Sequence, residues 1–458
     1  MIRFLEHSRS FYLGRYYPIL VVLLVFLGHS LGMELIFGGI MLGTLVFGLL
    51  INHDVRFTMM PMLCTLFTVS VGNFTPSNPG YERFYGHMPT LITILIMAAV
   101  VIAAILFFVI RNRKIANPIR LRGVLLSLLI LCGALLINGL FSANYTVANL
   151  IFTILLALSM PLVYVIFAAF LRFDRSVTDY FMRCLVIVGM LICAELVHAY
   201  FTTVQFVDGS IVKESVVLGW GVWTNIGSML VFLMPACFYF AASHKHGWIG
   251  YVLGLVMFLC TVLSQSRAAL LIGALSLVLC LGYLCIKGRN RRINRILTLT
   301  LFLCAAAVCV LFWSKILSLV QNFINYGFGD NGRFDLWSAA WDAFLRAPVF
   351  GSGFYDTCSY AGWEMFGTPQ MCHNTVLQLL GSAGVVGLGA YAYHRYVTVK
   401  LLFKKPNPVK VFLGICILGF LLFSLLDVVF FIAYPNMFYT LMLLFMQFSE
   451  YQDDERYI

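Results

Sequence analysis

The chain has 458 residues, of which 61% are hydrophobic and only 11% charged, with a formal net charge of +11. A soluble domain keeps roughly 25% charged residues to wet its surface, so this composition excludes an ordinary soluble enzyme. The positive balance would point to nucleic acid in a soluble protein. In a membrane protein it follows from Lys and Arg collecting on the cytoplasmic side, and no nucleic-acid partner is expected.

At the N-terminus, Met1–Tyr17 is basic and aromatic, and the apolar segment after it lacks a small-residue cleavage site, so it reads as a retained first span. Long apolar runs follow, among them Leu91–Ile110, Gly123–Phe141 and Val411–Phe423. A run of about 20 apolar residues crosses the hydrocarbon core as a helix, because its backbone polar groups are then bonded within the segment. The runs predict an all-α polytopic helical membrane protein with about 14 transmembrane helices. These fall at approximately 18–32, 35–51, 57–72, 90–110, 123–141, 148–171, 184–204, 225–242, 248–263, 268–286, 296–314, 383–403, 411–431 and 437–448. With the N-terminus inside and strict alternation, 24 of the 30 Lys and Arg fall on the inner side; the six outer ones are Arg83, Lys213, Arg267, Lys315, Arg333 and Arg346. This bias predicts an inner-membrane protein with both termini cytoplasmic.

The inner loops are short and basic, as in Arg111–Arg122 and Lys287–Arg295, and read as anchors against anionic headgroups. The outer side carries one long loop, 315–382, and smaller ones near Asn73–Pro89 and Gln205–Thr224. Long loops on a rigid scaffold are where function concentrates. The chain divides into N-terminal spans (1–220), a core with the long loop (221–400), and C-terminal spans with a short cytoplasmic tail (401–458). Of 13 cysteines, eleven fall within or at the ends of expected spans, where a thiol acts as a small apolar group. Cys358 and Cys372, both in the outer loop, are either a disulfide or two free thiols. The cysteine spacing offers no metal-ligand cluster.

Charges at or near membrane spans need a reason, since burying one costs roughly 2.5–3.5 kcal/mol even on the mild insertion scale. Arg267 lies in the tight turn Leu263-Ser-Gln-Ser-Arg-Ala-Ala. It is either an interface anchor or a fixed cation facing an anionic substrate. In the long loop, Gly332-Arg333-Phe334-Asp335-Leu336-Trp337 opens an amphipathic helix expected to run to about Ala347. Phe334, Trp337, Trp341 and Phe344 fall on one stripe, Asp330 or Asn331 caps the helix, and Pro348 ends it. A cation in a first turn opposes the helix dipole, so Arg333 implies a negative partner: Asp330, Asp335 or a phosphate. A Gly-rich turn, Pro348-Val-Phe-Gly351-Ser-Gly353, follows; then Met371-Cys372-His373-Asn374-Thr375 leads into a span containing Gly384-Val-Val-Gly387. His373 is the one histidine of the loop, able to act as a general base or, protonated, to bind phosphate. Glu195 and His198 share a helix face and could pair with each other, and Asp427 lies near the outer end of another span; these three stand outside the expected core site.

The order Ser-Gln-Ser-Arg267, Gly-Arg333 with Trp337, Pro348-Val-Phe-Gly351-Ser-Gly353, His373-Asn374 and Gly384-Val-Val-Gly387 resembles the O-antigen ligase and polymerase superfamily, over about residues 220–395. The resemblance implies a metal-independent membrane glycosyltransferase that needs no cofactor. Its donor would be a glycan on undecaprenyl pyrophosphate. Its acceptor would be a second such glycan (polymerase) or a lipid, protein or wall molecule (ligase), with membrane lipid and polysaccharide-assembly proteins as further partners. Arg267 and Arg333 would hold the donor pyrophosphate and act on its leaving charge, with Trp337 and Asn374 also binding substrate. His373 would take the acceptor proton or bind phosphate, and Glu364 is a second candidate base. Two other classes compete: a flippase or secondary transporter of lipid-linked oligosaccharide, and a non-catalytic scaffold or sensor that would not need Arg267, Arg333 and His373.

Overall fold

A computed structural model describes residues 2–68, 88–119, 121, 123–140, 147–207, 210–314, 317, 333–353, 364–365, 368–369 and 371–450. Apart from three two-residue hairpins, these residues form helices and the turns joining them. In chain order the helices are α1 (Ile2–Leu13), α2 (Tyr16–Leu31), α3 (Glu34–Ile51), α4 (Met59–Cys64), α5 (Met88–Asn112), α6 (Val124–Leu136), α7 (Val147–Phe170) and α8 (Arg175–Thr202). Then come α9 (Trp223–Leu233), α10 (Pro235–Ser243), α11 (Trp248–Leu263), α12 (Arg267–Lys287) and α13 (Arg291–Leu311). After the long loop's helix α14 (Arg333–Arg346), the chain closes with α15 (Thr375–Phe403), α16 (Pro408–Ser424) and α17 (Ala433–Phe448).

Eight helices are long and apolar enough to cross a bilayer, or nine if the pair Glu6–Leu13 and Tyr16–Leu31, bent by 68°, is one span. The chain is therefore a multi-pass membrane protein, but the expected count of 14 is not reached on length among the described residues. The remaining expected spans are the shorter apolar helices α6, α11, α16 and α17 and the stretch 57–72. In that stretch α4, six residues long, lies between two 3-10 turns, Arg56–Thr58 and Thr65–Thr68. The cause is local: the hydroxyls of Thr58, Thr65 and Thr68 donate to the carbonyls of Val55, Pro61 and Thr65, and Pro61 has no N–H to give.

Burial sorts the bundle. Within an apolar 18-residue stretch of Trp223–Ser243, 83% of residues are buried, against 11% for such a stretch of Met88–Ile115 and 12% for one of Arg291–Leu311. The α9–α10 span therefore runs through the centre, while α5 and α13 lie on the apolar rim. Polar groups tie helices together inside. His394 on α15 bonds Ser127 Oγ on α6 through Nδ1 and Tyr439 Oη on α17 through Nε2, each at 2.8 Å. Beside it the Arg395 guanidinium is enclosed by rings, 4.3 Å from Tyr391, 4.8 Å from Tyr439, 5.7 Å from Phe430 and 5.9 Å from Phe420. Their negative faces offset part of what burying that charge costs.

One end of the bundle is closed by charge. Lys410, fully buried, donates to Glu450 Oε1 at 2.6 Å and to the Leu401 carbonyl at 2.8 Å, and Lys404 reaches Glu450 Oε2 at 2.7 Å. This joins α15, α16 and the end of α17. At the same end, Arg9 Nε donates to the Ile51 carbonyl at 2.8 Å, and Arg111 to the carbonyls of Leu49, Leu50 and Asn52. Those four oxygens terminate α3, where orphan carbonyls favour cations.

Glu195 does not bond His198. Its Oε2 accepts the Trp220 indole N–H at 2.8 Å, while the His198 ring stands 5.8 Å from that of His29. Trp220 lies in the loop between α8 and α9, so a buried carboxylate anchors that loop to the bundle.

Candidate functional site

The second end of the bundle gathers the start of α12, the long loop with α14, the start of α15 and the turn after α16. Its framework is a backbone crossing. α15 is broken at Gly384 (φ +61°, ψ −160°), and the turn after α14 inserts into the break. Val385 N–H donates to the Pro348 carbonyl at 2.9 Å and Val386 N–H to that of Val349 at 3.2 Å. In return, Ser352 N–H and Oγ both donate to the Gly381 carbonyl at 2.9 Å, and Gly353 N–H to that of Ser382 at 3.0 Å. The bonds a continuous helix would make are replaced by bonds between segments. Only glycine fits at two points. A Cβ on Gly384 would lie 2.4 Å from the Val349 oxygen, and one on Gly351 (φ +73°) 2.2 Å from the Ser382 carbonyl carbon. The two glycine motifs are halves of one joint.

α14 ends at Arg346, as its pattern predicts. It packs on α15 through a small-residue face, with Leu336, Ala339, Ala340 and Ala343 buried, and leaves Phe334 and Trp341 exposed. Trp337, expected to bind substrate, donates its indole N–H to the Cys372 carbonyl at 2.8 Å, and Cys372 N–H bonds Gln378 Oε1 at 2.9 Å. This ties the first turn of α14, with Arg333 at its head, to the residue before His373.

His373 has a left-handed backbone (φ +50°), a strained conformation worth of order 1 kcal/mol that neighbours must hold. Asn374 caps α15: its Oδ1 accepts from Val376 and Leu377 N–H at 3.0 and 3.1 Å, and its Nδ2 donates to the Leu425 carbonyl at 3.1 Å. Thr375 Oγ1 donates to the Asp427 carbonyl at 3.2 Å. The result sets His373 Nδ1 3.1 Å from Asp427 Oδ1, with the imidazole 39% and the carboxylate 20% exposed. Asp427 also accepts from Val428 N–H at 2.8 Å. A carboxylate can only accept, so Nδ1 carries the hydrogen and Nε2 is left as the basic nitrogen.

The cations come from three places. Arg267 is the exposed first residue of α12, after Ser266, whose Oγ caps the helix through Ala269 N–H. Its turn is pressed against α9: a Cβ on Gly227 would meet Ala269 Cβ at 2.6 Å and Ser264 Oγ at 2.7 Å. Tyr200 Oη fastens the same turn by donating to the Leu263 carbonyl at 2.6 Å. Arg333 heads α14. The third cation is Lys213, in the 3-10 turn Lys213–Ser215 before α9, with Nζ 4.8 Å from the centre of the Trp223 ring. Burial pushes the Lys213 ammonium below the ordinary lysine pKa; Arg267 and Arg333 push it the same way, and Glu214 opposes them. Lys213 thus lies within the electrostatic reach of both arginines.

The structure therefore brings His373, Asn374, Trp337 and Arg333 together through α14 and α15, and the charges of Arg267 and Arg333 both act on the Lys213 ammonium. Glu364 lies on a two-residue strand, Glu364–Met365, whose Glu364 pairs with Pro369; its side chain is outside the described residues, as are Cys358 of the expected cysteine pair and the expected caps Asp330 and Asn331. Two residues enter that sequence reasoning left aside. Asp427 showed only as an ionisable group near a span end, 54 positions from His373. Lys213 showed only as one of six outer cations.

Among curated proteins, none matches the chain. Residues 229–392, from α9 into α15, match the family model of O-antigen ligase. This segment contains Arg267, the whole of α14, the glycine joint and His373, and its match supports a membrane glycan-processing function of the O-antigen ligase and polymerase type.

Proposed function

We propose that the protein is a glycosyltransferase that transfers or polymerises glycan carried on undecaprenyl pyrophosphate, at the outer face of the cytoplasmic membrane. Both termini are cytoplasmic, and residues 221–400 form the transferase core. The observation that carries this reading is the His373–Asp427 pair, held by the same assembly that presents Arg333. Asp427 fixes the imidazole with Nε2 as base. Nε2 takes the proton of the acceptor hydroxyl as its oxygen attacks the anomeric carbon. The bond from that carbon to the pyrophosphate oxygen breaks, and its electron pair leaves with the oxygen. Arg267 and Arg333 face the pyrophosphate, where their planar forks make bidentate contacts and offset the growing charge. Trp337 and Asn374 position the turn that carries His373, and Glu364 is the reserve base. The acceptor is a second lipid-linked glycan in the polymerase reading and a lipid, protein or wall molecule in the ligase reading.

The test is glycan transfer in a host lacking its own polymerase and ligase. Intact protein should extend or transfer the glycan. Membrane-inserted Arg267→Ala, Arg333→Ala and His373→Ala should not, and Asp427→Asn should lose roughly 10²–10⁴-fold, the range general-base catalysis supplies. Equal behaviour of all variants would overturn the reading and leave transport of lipid-linked oligosaccharide as the function to test.

A further inference from the structure

We propose that Lys213 is a third cation of this site, contacting the departing pyrophosphate and recognising the charge that appears only when the glycosyl bond breaks. The inference rests on the transferase reading and adds a residue outside the 229–392 segment.

Lys213 is displayed on a fixed turn. Ser215 Oγ donates to the Val212 carbonyl at 2.6 Å and accepts from Gln205 N–H at 2.9 Å, closing the turn at both ends. Ser215, Val216, Leu218 and Trp220 are buried beneath it, and Trp220 is pinned by Glu195. The lysine lies over Trp223, the first residue of α9, and α9 packs through Gly227 on the turn carrying Arg267. Lys213 and the turn of Arg267 are thus joined through α9, Arg333 acts on the same ammonium electrostatically, and Glu214 opposes the two arginines. Like charges held together repel, and a bound polyanion relieves that repulsion.

The chemistry says which polyanion. The donor is a pyrophosphate diester, with about two negative charges near neutral pH. Its departing form is a monoester with about three, since a terminal phosphate loses its second proton near pH 6. When the acceptor oxygen bonds the anomeric carbon, the electron pair of the carbon–oxygen bond stays on the phosphate, and the acceptor proton goes to His373. Two arginines match the diester; the third charge has its counterpart in the Lys213 ammonium. An interaction made with the leaving group and not with the intact donor lowers the barrier without tightening donor binding.

The experiment measures binding to the full-length protein in nanodiscs with two probes, farnesyl pyrophosphate (a monoester) and a farnesyl pyrophosphoryl sugar (a diester). Phosphatidylglycerol serves as a headgroup competitor. Lys213→Met should weaken the monoester by about 10- to 100-fold, as for loss of one charge-assisted contact, and the diester by less than about threefold. Lys213→Arg should bind both like the parent. Equal losses for the two probes, no loss for either, or displacement of the monoester by phosphatidylglycerol would overturn the assignment. If Arg333→Ala abolishes monoester binding while Lys213→Met does not, only the role of Lys213 falls. If the parent binds neither probe, the transferase reading falls with it.

Discussion

Gly384→Ala should disable the protein without touching a charged group. The substitution forces a side chain into a backbone region (φ +61°, ψ −160°) that is essentially glycine-only, which costs about 1–3 kcal/mol. The new Cβ would also sit 2.4 Å from the Val349 oxygen and 2.6 Å from that of Pro348. These are backbone atoms and cannot rotate away, so the strands of the joint must part. The N–H groups of Val385 and Val386 then lose their acceptors, at about 1–3 kcal/mol for each one left buried and unpaired. Together the loss is about 3–9 kcal/mol. The matched control is Gly389→Ala in the same helix, where a Cβ meets nothing within 4 Å; there alanine should stabilise by up to about 1 kcal/mol. The assay is thermal unfolding of both variants in detergent, alongside glycan transfer. Gly384→Ala should unfold at markedly lower temperature and lose transfer, and Gly389→Ala should melt at or slightly above the parent and keep its transfer. Indistinguishable melting of the two variants would refute the joint as a structural determinant.

Two further outcomes follow from the ties described above. Trp337→Phe keeps the ring and removes one donor, so glycan turnover should fall about fivefold, the equivalent of roughly 1 kcal/mol, while pyrophosphate affinity stays within about twofold; a change confined to affinity would contradict this. Glu450→Ala leaves the Lys410 ammonium buried without its carboxylate and should destabilise by about 3–5 kcal/mol, almost all through Lys410 because Lys404 is 57% exposed. In a Lys410→Met background the same change should cost about 1 kcal/mol or less, and a thermal-unfolding double-mutant cycle showing additivity would refute the pairing.

The sequence foreshadowed the helices well, because each apolar run must satisfy its own backbone in lipid. It did not foresee the break-up of 56–68, where threonine hydroxyls compete for helical carbonyls and the chain tightens into 3-10 turns on either side of α4. Arg267, Arg333, His373 and Asn374 were legible because each stands at a helix start or turn that polar residues mark locally. Asp427 and Lys213 were not, since neither is near its partner in sequence and each is brought into place by packing of other helices. The pairing of Glu195 with Trp220 was hidden for the same reason: helical spacing favoured His198, but the acceptor geometry is settled by a loop that folds back from 25 residues away. The glycine motifs were visible as motifs, yet their meaning is relational, because each leaves room for the other's backbone.

The joint at Gly351 and Gly384 also bears on how the long loop is held. Its bonds between the two segments run mostly between main-chain atoms, with Ser352 Oγ as a side-chain donor among the described residues. The loop leaves the joint at Gly353, and the chain is gripped again at Cys372 by Trp337. Gly353 and Cys372 thus bracket residues 354–370, each held by bonds to α14 or α15. Among the described residues, the ties that hold His373 and the start of α14 come from Trp337, Cys372, Asn374 and Thr375, outside that interval. What anchors the candidate site and what lies between its two anchors are thus different stretches of one loop.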